Sequence, residues 1–67
     1  MKLVEFFRYL KLDEVISIVD DYGLYIEPVQ YKNLSYTAVK DVLGAEVIQV
    51  SYDHDDNSLT ITIVFDD

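Results

Sequence analysis

Leu59-Thr60-Ile61-Thr62-Ile63-Val64-Phe65 is the stretch on which the fold turns. Leu59, Ile61, Ile63 and Phe65 alternate with Thr60, Thr62 and Val64. A period of two sustained over seven residues marks a β-strand with one apolar and one wetted face. Immediately before it, Asp53–Ser58 is a polar, turn-forming loop, so the strand is the second arm of a hairpin. The first arm is then 46–52, with Ile48, Val50 and Tyr52 expected on one face and Val47, Gln49 and Ser51 on the other.

The rest of the chain follows by working outward. Ser35 precedes a helical pattern over 36–43, where it can serve as N-cap, and Gly44 can end the helix in the left-handed conformation. Val39, Val42 and Leu43 would face inward. Val15, Ile16, Ile18 and Val19 crowd β-branched residues into a strand. Asp20-Asp21-Tyr22-Gly23 reads as a turn in which Gly23 supplies a positive φ. Residues 24–31 return as a strand. Pro28 has no N–H to give a ladder, which places that strand at an edge or at a bulge. At the start, Leu3, Phe6/Phe7 and Leu10 recur at helical spacing, predicting an amphipathic helix over 2–11. The expected architecture is α+β in the order α-β-β-α-β-β. It has an antiparallel-rich sheet of about four strands, two short helices on one face, and one domain spanning 1–67.

Sixty-seven residues leave no room for a second core. A chain this short buries only about 60 % of the surface it exposes when unfolded. With no cysteine to form a disulfide, stability must come from apolar packing, and 51 % hydrophobic content makes that feasible. Homodimerisation would hide further apolar surface. The lack of cysteine fits a reducing compartment. Glu5 and Arg8 interrupt the apolar opening, and neither a membrane-length apolar run nor a small-residue cleavage site is evident. The cytoplasm is the expected location.

Charge is distributed unevenly. Thirteen acids against five bases give a net charge of −8. Residues 1–12 hold Lys2, Arg8 and Lys11 against Glu5, whereas no base follows Lys40. Asp41, Glu46, Asp53, Asp55, Asp56, Asp66 and Asp67 therefore leave residues 41–67 at −7. Such a field repels nucleic acid and anionic membranes and attracts a basic protein surface. If the second helix returns the chain so that strands two and three run in one direction, Asp20, Asp21, Asp66 and Asp67 gather at one end. Asp53, Asp55 and Asp56 gather at the other, about 20 Å away at roughly 3.4 Å per residue. Glu27 and Glu46 would lie between. A row of carboxylates over that span can stand in for successive backbone phosphates. The plainer account is that surface acids keep a small protein dissolved.

Three further features bear on function. Asp53-x-Asp55-x-Asn57 matches the first ligand positions of an EF-hand loop, but Ser58 stands where glycine is needed and Val64 where the bidentate glutamate belongs. His54 with Asp53 or Asp55 is a candidate zinc or manganese set, alone or shared across a dimer, and a solvated hairpin loop is the bland alternative. Of six tyrosines, Tyr22, Tyr31 and Tyr36 fall at turns or element ends, where an amphipathic ring suits partner contact. Catalysis is not expected. There is one histidine and no cysteine, no serine sits in a nucleophile elbow, and the two glycines form no phosphate-cradling loop.

The combination of a Leu/Phe-rich opening helix, an Ile/Val strand ending in Asp20-Asp21-x-Gly23, Leu34-Ser35 at the second helix, Val47-Ile48-x-Val50 and Leu59-x-Ile61-x-Ile63 resembles small proteins of phages and integrative elements of Gram-positive bacteria. In size and acidity the chain is similar to the anti-CRISPR and anti-restriction DNA-mimic inhibitors among them. That resemblance implies an inhibitor occupying the nucleic-acid channel of a host defence nuclease, such as a type II CRISPR effector. The rival reading is a structural or regulatory interaction module, dimeric through an exposed strand edge.

Overall fold

Four strands form one sheet: β1 (Val15–Asp20), β2 (Gly23–Gln30), β3 (Glu46–Asp53) and β4 (Ser58–Val64). The computed structural model describes residues 1–65. Spatial order is β2-β1-β4-β3, with β1 and β4 parallel at the centre and an antiparallel hairpin partner outside each. It follows that β2 and β3 run in the same direction, as the charge argument required.

Alternation along β1 and β4 decides where the core sits. Ile16 and Ile18 pair with Leu59 and Ile61 in parallel register. Ile16, Ile18, Ile61 and Ile63 are fully buried, together with Leu3 and, nearly so, Val39, Val42 and Ala45. Each of the buried Ile, Leu and Val side chains contributes roughly 1.5–3 kcal/mol, and Ala45 less. From the connecting segments, Phe6, Phe7, Leu10, Leu34 and Leu43 pack against this cluster. On the opposite face Ser17 and Thr60 share a long hydroxyl hydrogen bond of 3.4 Å. Thr62, Gln49 and Ser51 continue that polar face by register.

The helical segments are shorter than their patterns predict. Helix α1 covers Leu3–Phe6 and tightens into a 3₁₀ turn over Phe7–Tyr9, and Leu10 is already extended. Its start is held by Glu5, whose carboxylate accepts the Lys2 backbone N–H at 2.9 Å. A second 3₁₀ turn covers Tyr31–Asn33. Helix α2 covers only Tyr36–Val39, and residues 40–44 continue as turns instead of a second helical turn. Past Lys40 the N–H groups of Val42 and Ala45 bond three residues back, to the Val39 and Val42 carbonyls, and two tertiary hydrogen bonds tie the end of this turn segment to α1. The carbonyls of Leu43 and Ala45 accept the N–H groups of Val4 and Leu3, at 3.0 and 2.9 Å.

Two capping expectations fail in consequence. Ser35 occupies the N-cap but makes no side-chain cap bond. Gly44 is not in the left-handed region, because no complete helix ends there. Gly23 does take φ +117° in the β1–β2 turn. Pro28 lies on edge strand β2, within the first of two register irregularities against β1.

One strand face also needs correcting. Val47 pairs with Ile63, but Gln49 pairs with Thr62, so Ile48 is an extra, bulged residue. Val47, Val50 and Tyr52 therefore align with the core-side residues Ile63, Ile61 and Leu59. Simple alternation had put Val47 on the other face.

Candidate functional site

Exposed carboxylates collect at the two ends of the sheet, and local geometry decides which are free to act. In the β3–β4 loop, Asp53 Oδ1 accepts the backbone N–H groups of Asp55 and Asp56 at 2.9 and 3.4 Å. That bond is the Asx turn expected where a strand yields to a hairpin loop. Asn57 completes the turn with φ 52° and accepts the Tyr52 hydroxyl at 3.1 Å. Asp53 is thus a structural acid, and the Asp55 and Asp56 side chains stay exposed on the loop it shapes.

His54 stacks edge-on against Tyr52 with ring centroids 4.8 Å apart. Among the described residues no group of three His, Cys, Asp or Glu side chains is gathered where it could hold a metal. The Asp53, His54 and Asp55 set is therefore a run along the loop, with one carboxylate already committed to the backbone.

At the far end the same division recurs. Asp20 Oδ1 accepts the Tyr22 N–H at 2.8 Å, and Asp21 stands exposed beside it. Tyr22 is 95 % exposed. Glu27 is exposed at mid-sheet on β2, between the two ends as anticipated. Asp66 and Asp67 lie outside the described residues.

Glu46 is misplaced by the sequence reading. It opens β3 opposite Val64, so it sits at the Asp20–Asp21 end instead of between the ends. Its carboxylate is also neutralised: Oε2 meets the Met1 ammonium at 2.8 Å and Oε1 meets Lys2 Nζ at 3.5 Å. The hydrogen bond from the Met1 ammonium, followed by its charge, lowers the Glu46 pKa below the ordinary value, with Lys2 adding to the effect. Glu46 leaves the set of steering charges. Among the described residues it is the only carboxylate in an ion pair.

Asp13 and Glu14 join the set by a route the sequence reading missed. They precede Val15, which pairs in parallel with Ser58 directly after the acidic loop. Glu14 accepts the Lys11 N–H at 3.0 Å, leaving Asp13 exposed at the end of the sheet that also carries Asp55 and Asp56. Only a parallel pairing across 43 residues creates that neighbourhood, and no local pattern signals it.

The tyrosines divide likewise. Tyr31 packs on Phe7 at 5.4 Å between ring centroids, and with Tyr36, Leu12, Leu34 and Lys32 it lines an apolar groove of about 330 Å³. Tyr36 is 68 % exposed at its rim. Tyr22 belongs to the opposite end of β1 and shares no surface with this pair.

Fold and site together define a small α+β domain with acidic loops at both ends of a mixed sheet. No protein-family model matches the chain, and no curated protein or solved structure matches it. Among the described residues no helix is long and apolar enough to cross a membrane.

Proposed function

We propose that the chain is a binding protein that docks on a cationic surface of a nucleic-acid-handling protein. The observation that carries this is the division of labour within each acidic loop. Asp20 and Asp53 hold their turns by accepting backbone N–H groups, while Asp21, Asp55 and Asp56 are exposed and, among the described residues, unpaired. Loops whose backbones are already held need little ordering on contact, so the attraction of their free carboxylates goes into steering and register. The two loops lie about 20 Å apart along the strands, roughly six nucleotide steps at 3.4 Å each along one DNA strand.

The resemblance to mobile-element inhibitors refines the partner to a host defence nuclease whose DNA channel the carboxylates fill. The site of action is then the host cytoplasm, and the protein works by occupancy without catalysis. The groove tyrosines Tyr31 and Tyr36 supply packed contact beside the charged ends.

Calorimetric titration against a type II CRISPR effector nuclease, at low and high salt, tests the reading. Binding should weaken steeply with salt, because exposed pairs are screened beyond about 10 Å at 0.1 M. The triple variant D21K/D55K/D56K should lose at least tenfold in affinity while keeping its fold, since Asp20 and Asp53 are left in place. Salt-independent binding, or full affinity in that variant, would overturn the electrostatic mode. Absence of binding would remove this nuclease class as the partner.

A further inference from the structure

The two edges of the sheet are protected differently. On β2 the edge carries Pro28 and two register irregularities, devices that spoil a strand for pairing. On β3 the first residues are closed, with Met1 C=O accepting the Val47 N–H at 2.8 Å and Lys2 bridging Glu46, and the single bulge lies at Ile48, so Gln49–Tyr52 pairs with β4 without interruption. From Ile48 to Tyr52 no strand of the described chain lies on the outer side. This segment, Ile48-Gln49-Val50-Ser51-Tyr52, carries no charged residue in a chain of net charge −8. Its apolar members are exposed, at 60 % for Ile48, 41 % for Val50 and 47 % for Tyr52.

We infer that this edge is a self-association surface, where β3 of one copy pairs antiparallel with β3 of a second copy about a twofold axis at Val50. An antiparallel strand pair is self-complementary, since each edge both donates and accepts along the same segment. The axis at Val50 sets Val50 against itself and Gln49 against Ser51, with Tyr52 reaching the exposed Ile48 at the bulge, so apolar meets apolar and polar meets polar. It also brings the 53–56 loop of one copy, with three carboxylates, toward Met1 and Lys2 of the other, two cations that share only Glu46. Two four-stranded sheets become one continuous sheet. A five-residue edge buries well under the roughly 800 Å² per partner of a standard stable interface, so the dimer is weak and concentration-dependent.

The paired segment Ile48–Tyr52 contains none of Asp21, Asp55 and Asp56, the residues assigned to docking. Salt separates self-association from docking further. The repulsion between two copies of net charge −8 outweighs the one contact between loop and N-terminus, so association strengthens as salt screens both, whereas docking on a cationic surface weakens.

Sedimentation velocity from micromolar to millimolar protein, at low and high salt, should show a reversible monomer–dimer equilibrium favoured by salt. The chain has no cysteine, so V50C introduces a single thiol. Directly paired residues have Cα atoms about 4.5–5.5 Å apart, within the roughly 4.4–6.8 Å a disulfide requires. Mild oxidation should therefore link V50C into dimers much faster than S51C, which lies off the axis, or Y22C, in the far turn. V50K should be monomeric throughout. Should it fail to fold, I48K, at the exposed bulge, serves in its place. A monomer at every concentration, linkage of V50C no faster than Y22C, or assembly beyond a dimer would each overturn the inference.

Discussion

At the scale of single residues, two glycines and one glutamate carry opposite lessons. Gly23 has φ +117°, and a Cβ added there would meet nothing within 4 Å. Gly23→Ala therefore incurs backbone strain alone, and should lower unfolding free energy by about 1–2 kcal/mol in a denaturant titration. Gly44 also has open space around it but lacks the left-handed backbone. Gly44→Ala should be neutral or stabilising by up to about 1 kcal/mol, through the unfolded chain's lost freedom. Glu46 shows what charge counting misses. Its folded pKa lies below the unfolded value, so its ion pair stabilises above that unfolded value and the contribution vanishes as pH falls through the folded one. Stability measured from neutral pH into acid should decline less in Glu46→Gln than in the parent below about pH 4.5. An unchanged acid slope would show that the ammonium contact does not persist in solution.

Among the elements, the central parallel pair bears the load. Ile18 and Ile61 face each other in register with no exposed surface. Truncating either to alanine should cost about 2–5 kcal/mol, enough to unfold much of a domain whose total stability is on the order of 5–15 kcal/mol. Circular dichroism melts will show this directly. Ile48→Ala, at a bulge 60 % exposed, should cost far less. The strand period at 59–65, the Gly23 turn and the edge position of Pro28 were legible because each depends on neighbours in sequence. The faces of β3 were not, because a single inserted residue at Ile48 resets the alternation and pairing with β4 alone reveals it. Both helices were recognised by position but overestimated in length. Short helices are marginal by themselves, and beyond α2 the chain closes i→i−3 turns, Val42 N–H to Val39 and Ala45 N–H to Val42, in place of a second helical turn.

For the whole molecule, the balance of charge is the dominant long-range term. A net charge of −8 on 67 residues makes the compact state repel itself, so added salt should raise the melting temperature in the absence of any partner. A melting temperature that falls as salt is added would mean that pairs such as Met1–Glu46 outweigh the general repulsion. The candidate site was half legible. Its acids could be counted, and the common direction of β2 and β3 put Asp20–Asp21 and Asp53–Asp56 at opposite ends as expected. Which of those acids are free to steer was hidden, because Asp20, Asp53 and Glu46 are occupied by hydrogen bonds or an ion pair.

From its sequence alone this chain's class, element order, the apolar face of β4 with Ile61 and Ile63, and the excess of carboxylates follow, since periodicity, turn chemistry and composition act over a few residues at a time. Tertiary structure alone decided the parallel contact of β1 with β4, the bulge that turns β3, the pairing of Glu46 with the first two residues, and the arrival of Asp13 at the acidic loop's end of the sheet. All four depend on contacts between segments far apart in the chain, where loop closure and packing choose among arrangements that local preference leaves equal.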